Sequence, residues 1–150
     1  MKTFICQVCN HIAFDEAPVD CPVCESAIEH FEKDEEAIKV PADLENLTNT
    51  DKEHVPVVHI SRECDIHHNN ECSVVSLKVG ALEHKMDSEH LIEFIDLYIN
   101  KKYFSRLMFT SKTIFPAALV HLSADTGTLS VISHCNVHGS WRTNFKLDKK

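Results

Sequence analysis

The chain has 150 residues, 43% of them hydrophobic and 25% charged, which is typical of a soluble globular protein. No apolar run approaches the ~20 residues that a membrane-spanning helix needs, so we expect no membrane association. The net charge of −8 resides in residues 1–50, which carry 11 acidic and 3 basic side chains, whereas residues 51–150 carry 12 of each. Neither part has the basic patch that binds nucleic acid. The asymmetry predicts two units with different roles.

The chain is rich in potential metal ligands, with 7 cysteines and 11 histidines. Its first residues, MKTFICQVC, lack the apolar stretch of a secretory signal, so we expect a cytoplasmic protein. In that reducing compartment, clustered cysteines favour metal binding over disulfides.

Two Cys-x-x-Cys pairs lie in residues 4–28 and comprise Cys6, Cys9, Cys21 and Cys24. Each pair places two thiolates on one tight loop, and four thiolates form a closed tetrahedral site for zinc or iron. The segments FICQVCNHI and EAPVDCPVC resemble the rubredoxin-like knuckle of rubrerythrins, in which the metal is a redox iron. Asn10 stands where that family usually has glycine, and asparagine also tolerates the left-handed conformation that the turn requires.

The segment after the knuckle is acidic, and we expect a short helix from Glu32 to Val40 followed by a linker. Beyond it, short apolar runs alternate with turn-like clusters, a pattern typical of a β-sandwich. One run, LIEFIDLYI, also suits a helix, but its β-branched and aromatic residues favour a strand. The prediction is a mainly β protein, with a rubredoxin-like domain (1–38), a linker (39–50) and an immunoglobulin-like seven-stranded β-sandwich (51–150).

Further ligand candidates lie in three motifs of the second part: EHVPVV, HKMDSEH and CNVHGSW. The two histidines of HKMDSEH are six residues apart, which would turn them to different faces of a helix, so a metal-binding loop is favoured. The Cys-x-x-His spacing in CNVHGSW repeats the loop geometry of the knuckle, with a histidine as the second ligand.

In this order, the three motifs resemble the superoxide reductase family, the desulfoferrodoxins and neelaredoxins. The resemblance implies a mononuclear iron with four equatorial histidines and an axial cysteine, which reduces superoxide to hydrogen peroxide. Carried onto this chain, the ligands are His54, His84, His90, His138 and Cys135. It also implies a rubredoxin-like electron donor and a homodimer or higher oligomer. The alternative is a non-catalytic iron protein that transfers electrons or senses redox state.

Three residues near these ligands depart from the family pattern. Lys52 and Glu53 precede His54 in the reverse of the usual Glu-Lys order, and on an extended loop a shift of one residue exchanges their faces. The pair is nevertheless retained as catalytic candidates. Lys85 replaces the proline that often follows the second histidine, and it is either a cation beside the open coordination position or a solvated surface charge.

The remaining cysteines and histidines are expected to be background. Cys72 is predicted to begin a strand as a small buried residue, with Cys64 near a turn. A redox pair, or an adventitious metal site with His67 and His68, is the alternative. No partner is evident for His11, His30, His59, His121 or His134.

Overall fold

The computed structural model describes residues 1–67 and 72–148, and β-strands are its main secondary structure. The N-terminal unit has three strands, β1 (Thr3–Cys6), β2 (Ile12–Phe14) and β3 (Phe31–Lys33). They form an antiparallel sheet in the order β2-β1-β3, and a 3₁₀ turn at Ile28–His30 precedes the last strand. None of the helices in the described ranges is long and apolar enough to cross a membrane.

The predicted helix at Glu32–Val40 is wrong. Its first residues belong to β3 and pair with β1, and the chain then turns into a short strand, β4 (Ile38–Lys39). The carboxylate of Asp34 accepts a hydrogen bond from the backbone N–H of Glu36 (2.9 Å). Such local side-chain bonds offer the backbone an alternative to helical hydrogen bonding, which explains the failure of a prediction based on composition.

The second unit is the predicted seven-stranded β-sandwich. Its elements are α1 (Asn49–His54), β5 (Pro56–Ser61), β6 (Ser73–Val79), β7 (Ile92–Ile99), β8 (Lys102–Met108), β9 (Ala117–Leu122), β10 (Gly127–Cys135) and β11 (Gly139–Leu147). One sheet has the order β4-β11-β10-β7-β8, and the other has the order β5-β6-β9. β4 adds an eighth strand, parallel to β11 and across the expected boundary at residue 38. The division into three segments stays a prediction.

β7 is buried on both faces, which accounts for the ambiguous pattern of LIEFIDLYI. Ile95 and Leu97 belong to the core between the two sheets. The alternate residue Tyr98 faces the N-terminal unit and packs with Ile12 and Phe14. A strand covered on both faces reads as a continuous apolar run, so the alternation typical of a half-buried strand is absent.

A buried polar network joins the N-terminal unit to the sandwich. Asp96, 1% exposed, forms a bidentate ion pair with Arg106, with oxygen–nitrogen distances of 2.6 and 2.8 Å. The same carboxylate lies 3.2 Å from Nδ1 of His11, and Arg106 donates to the carbonyl of Cys9 (2.9 Å). His11, expected to be background, therefore contributes to this junction.

Candidate metal centres

The four knuckle cysteines converge with their sulfurs within 4.8 Å of one another. The Cys6–Cys24 and Cys9–Cys21 sulfurs are 3.7 and 3.6 Å apart. These separations far exceed the ~2.05 Å of a disulfide bond. They match the ~3.8 Å edge of a tetrahedron with metal–sulfur bonds of ~2.3 Å. The sulfurs are thus spaced for one tetrahedral ion.

Both knuckle loops have the same backbone geometry. Asn10 (φ 61°) donates its N–H to the carbonyl of Cys6, and Glu25 (φ 64°) donates to that of Cys21, each at 2.9 Å. The left-handed turn expected at Asn10 is therefore present. A hydrogen bond with the Ser26 hydroxyl is the largest influence that lowers the pKa of Cys24 to about 6, which favours the thiolate that binds metal.

The five predicted ligands of the second site meet at one end of the sandwich. The ring centroids of His54, His84, His90 and His138 form a cycle with successive separations of 4.6, 4.7, 5.0 and 4.7 Å. The diagonal from His54 to His90 is 6.3 Å. Four rings at the corners of an approximate square are arranged around one centre. The Cys135 sulfur lies within 4.8 Å of the ligand atoms of His54, His90 and His138.

The hydrogen bonds of two of these histidines favour a bound cation. Nδ1 of His54 donates to the carbonyl of Thr50 (2.6 Å), and Nδ1 of His84 donates to that of Lys85 (2.5 Å). In neutral imidazole, a protonated Nδ1 leaves Nε2 as an acceptor. The two Nε2 atoms are 3.0 Å apart, so their lone pairs face each other. A metal ion bound to both nitrogens removes this conflict, and the residues present therefore fit the group.

Burial keeps two of the histidines in the neutral form that binds metal. Desolvation lowers the pKa of His54 and takes that of His84 to about 4, so both imidazoles are neutral at pH 7. The buried Nε2 of His90 has no hydrogen-bond partner among the described residues. Burial raises the pKa of Cys135, whereas the backbone N–H of His138 donates to its sulfur (3.4 Å) and favours the thiolate.

His54 is the last residue of the short helix α1, and contacts at both ends of this helix fix its position. Thr48 and Asp51 form a capping box at the start of this helix, with backbone-to-side-chain distances of 2.9 and 3.1 Å. At the other end, Gly80 lies against the helix, where an added Cβ would be 2.7 Å from the carbonyl carbon of Glu53. Only glycine permits this approach, which brings the loop after β6 to α1.

Lys52 and Glu53 lie on α1, so the expectation of an extended loop is wrong. Successive helical residues are about 100° apart around the axis, and the two side chains therefore do not occupy opposite faces. Lys52 is exposed and Glu53 is half-buried. Burial lowers the pKa of His54 and His84, and the negative charge of Glu53 partly offsets this shift. The Glu53 carboxylate is therefore within electrostatic reach of the histidine cluster.

Lys85 is exposed at the mouth of a cavity of about 390 Å³ that reaches His84. A second cation, Lys112, lines the same cavity, and its backbone N–H donates to the carbonyl of Met86 (2.7 Å). Sequence reasoning missed Lys112, because nothing in the segment TSKTIFP indicates that the β8–β9 loop reaches the histidine loop.

The comparisons with known proteins agree with both centres. The family model described as desulfoferrodoxin matches residues 46–144, and that of the rubrerythrin, rubredoxin-like domain matches residues 4–32. The desulfoferrodoxin of Syntrophotalea carbinolica is 35% identical over 98 residues, which cover 65% of this chain and 67% of that protein. The superoxide reductase of Pyrococcus horikoshii is 29% identical over 108 residues, covering 65% and 89%. The superoxide reductase (neelaredoxin) structure from Ignicoccus hospitalis has a TM-score of 0.60 at 25% identity, with 75% of this chain and 95% of that chain covered. The chain belongs to the desulfoferrodoxin family.

Proposed function

We propose that this protein is a superoxide reductase that converts superoxide to hydrogen peroxide with one electron and two protons. The observation that carries the proposal is the square of four imidazoles, with two opposed lone pairs at 3.0 Å and the Cys135 sulfur within 4.8 Å of the ligand atoms of His54, His90 and His138. A ferrous ion held by these five residues would supply the electron. Family membership and the superoxide reductases among the similar proteins support this assignment.

The residues of the chain have separable tasks in this reaction. Neutral imidazoles favour the ferrous state because they add no negative charge, whereas the Cys135 thiolate donates electron density to the metal. Trp141 stacks on His54 with a centroid distance of 5.3 Å, which fixes the plane of that ring. We propose that Glu53, whose charge reaches His54 and His84, would bind the oxidised iron after the product has left, and that Lys52, Lys85 and Lys112 would provide positive charge for the approach of an anion.

Pulse radiolysis of the ferrous protein tests the function directly. We expect superoxide to oxidise the mononuclear iron in a second-order reaction and to yield one hydrogen peroxide per iron. A site that binds iron yet is not oxidised by superoxide would support the alternative, a non-catalytic electron-transfer or sensor protein. Protein whose knuckle alone contains iron serves as the control.

Removing the lysines around the histidine site is expected to slow the association of superoxide with the protein. Local positive charge raises the association rate of an anion, and salt weakens the effect. We expect Lys85→Ala, Lys112→Ala and Lys52→Ala each to lower the second-order rate constant by about two- to tenfold at low ionic strength. Lys146→Ala is the matched control, because this exposed lysine lies near the end of β11, beyond the site. Equal rates for all variants would contradict the steering role.

We further propose that the knuckle holds iron and passes electrons to the second site. A chain of contacts supports this role. The carbonyl of Cys9 accepts a hydrogen bond from Arg106 (2.9 Å), whose guanidinium carbon lies 3.5 Å from the centroid of the Phe94 ring. Phe94 stacks on His134 at 4.8 Å, and His134 directly precedes Cys135. The path thus joins a ligand of the knuckle to the thiolate of the second site.

Phe94→Leu is expected to slow electron transfer along this path, because the ring that contacts both Arg106 and His134 is lost. Stopped-flow reduction by a rubredoxin-type donor would follow the knuckle and thiolate absorption bands separately. In the variant, we expect a longer interval between the change in the knuckle band and the change in the thiolate band. Phe109→Leu, a buried core substitution off the path, is the control. A knuckle that takes only zinc, or an unchanged interval, would contradict the relay.

The external donor, the oligomeric state and the location belong to the same proposal. A rubredoxin-type protein is the expected donor, since each turnover oxidises the iron and the knuckle itself stores only one electron. We place the protein in the cytoplasm as a homodimer or higher oligomer. The free state of all seven cysteines is compatible with a reducing compartment.

A further inference from the structure

A third ligand cluster lies at the opposite end of the sandwich from the histidine square. Cys64 follows β5, Cys72 directly precedes β6, and His121 is near the end of β9. Both sulfurs approach Nδ1 of His121, at 3.3 Å from Cys64 and 3.6 Å from Cys72. The three ligand atoms lie within 4.8 Å of one another. The six residues of β5 separate this cluster from His54 by roughly 20 Å.

The sheet register explains why these residues meet. Val74 pairs with His121, and Cys72 lies two residues before Val74, so Cys72 and His121 share the outer face of the sheet. Arg62 fixes the turn that carries Cys64. Its guanidinium donates to the Ser73 hydroxyl (2.7 Å) and to the carbonyl of Asp125 (2.9 Å). Arg62 lies two residues before Cys64, and Ser73 directly follows Cys72, so the bond between them holds the two cysteines together.

A fourth ligand is indicated by a repeated motif. Cys64 and His67 have the Cys-x-x-His spacing of Cys135 and His138. In both motifs the backbone N–H of the histidine donates to the cysteine sulfur, at 3.3 and 3.4 Å. The His67 ring centroid is 5.9 Å from that of His121, within the 4.6–6.3 Å range of the histidine square. His68, an alternative ligand at the sequence level, lies outside the described residues.

We propose that Cys64, His67, Cys72 and His121 bind a structural zinc ion. Two thiolates and two imidazoles form one of the ligand sets typical of closed tetrahedral zinc sites. A divalent ion with two thiolates and two neutral imidazoles is uncharged as a unit, which is compatible with the burial of Cys72 (5% exposed). Closing the ligand shell would tie the segment between β5 and β6 to β9. This proposal replaces the expectation that Cys64 and His121 have no functional role.

The test is zinc uptake by full-length protein whose knuckle and histidine site are already filled with iron. We expect wild type to bind one additional zinc ion per chain, measured by elemental analysis after equilibration with a competing chelator. Cys64→Ser should bind none at the same chelator concentration, and His67→Ala should bind zinc about tenfold more weakly or worse. His59→Ala, which removes an exposed histidine of β5, should behave as wild type.

Cobalt provides an independent readout that does not depend on activity. Added to the same iron-loaded protein, Co²⁺ should give the intense visible bands of tetrahedral sulfur coordination in wild type, and these should be lost in Cys64→Ser. His67 is exposed, so His67→Ala keeps the proposal testable even if a cysteine variant unfolds. The proposal is overturned if wild type takes up no third ion. Equal zinc affinity in His67→Ala or Cys64→Ser, or a Cys64–Cys72 disulfide in the protein as isolated, would also overturn it.

Discussion

Replacing Asp96 with alanine is expected to lower the free energy of unfolding by about 3–5 kcal/mol, because it leaves a buried arginine without its counter-ion. The Arg106 side chain is only 7% exposed, and its two hydrogen bonds to Asp96 are 2.6 and 2.8 Å long. The same substitution removes the carboxylate that faces His11. Urea denaturation of the metal-loaded protein measures the loss.

Asp15→Asn is the matched control for this prediction, because asparagine tolerates the left-handed backbone of Asp15 (φ 68°) and only the charge is removed. Asp15 and Lys101 also form an ion pair between the N-terminal unit and the sandwich, at 2.8 Å, but their side chains are 55% and 50% exposed. Exposed pairs contribute about 0–1 kcal/mol, so a small change is expected. Equal destabilisation by the two substitutions would show that burial of the Asp96 network does not matter.

Cys135→Ser is expected to abolish the thiolate-to-iron charge-transfer absorption and to slow oxidation of the iron by superoxide by at least about 100-fold. Loss of residues that merely orient a ligand costs 10–100-fold in metal affinity or activity, and loss of a ligand itself should cost more. Optical spectra and pulse radiolysis measure the two effects. The four imidazoles remain available to hold iron in the variant.

His59→Ala removes an exposed histidine outside the histidine square, and its charge-transfer band should be unchanged. If the band persists in Cys135→Ser, the assignment of Cys135 as the thiolate ligand is wrong. Iron content must be determined for both variants, because a lost band is informative only when the iron is still bound.

Sequence reasoning predicted the features whose determinants are close together in the chain. The Cys-x-x-Cys pairs and the Cys-x-x-His loop are local, and the alternating apolar runs identify the strands without knowledge of their partners. The short helix α1 escaped notice, although Thr48 and Asp51 suit a capping box. Its six residues are too few to produce a visible periodicity, so Lys52 and Glu53 were assigned to an extended loop.

Contacts between distant segments could not be predicted. Asp96 lies 85 residues from His11, and His121 lies 57 residues from Cys64. Only the pairing of the sheets brings these residues together, so each looked like an isolated polar residue in the sequence. The same reason applies to Lys112, whose backbone N–H donates to the carbonyl of Met86 beside the histidine site.

The distribution of ligands along the chain has a consequence for the order of metal loading during synthesis. The four knuckle cysteines all precede the sandwich in the chain, so this unit can capture its ion while the ribosome is still translating the sandwich. The ligands of the histidine square are spread from His54 to His138, and Cys135 and His138 follow most of the sandwich strands. Their site forms only when β10 and β11 have joined the sheet. The knuckle can therefore bind its ion before the histidine site exists, whereas the histidine site can bind iron only after nearly all of the sandwich has been translated.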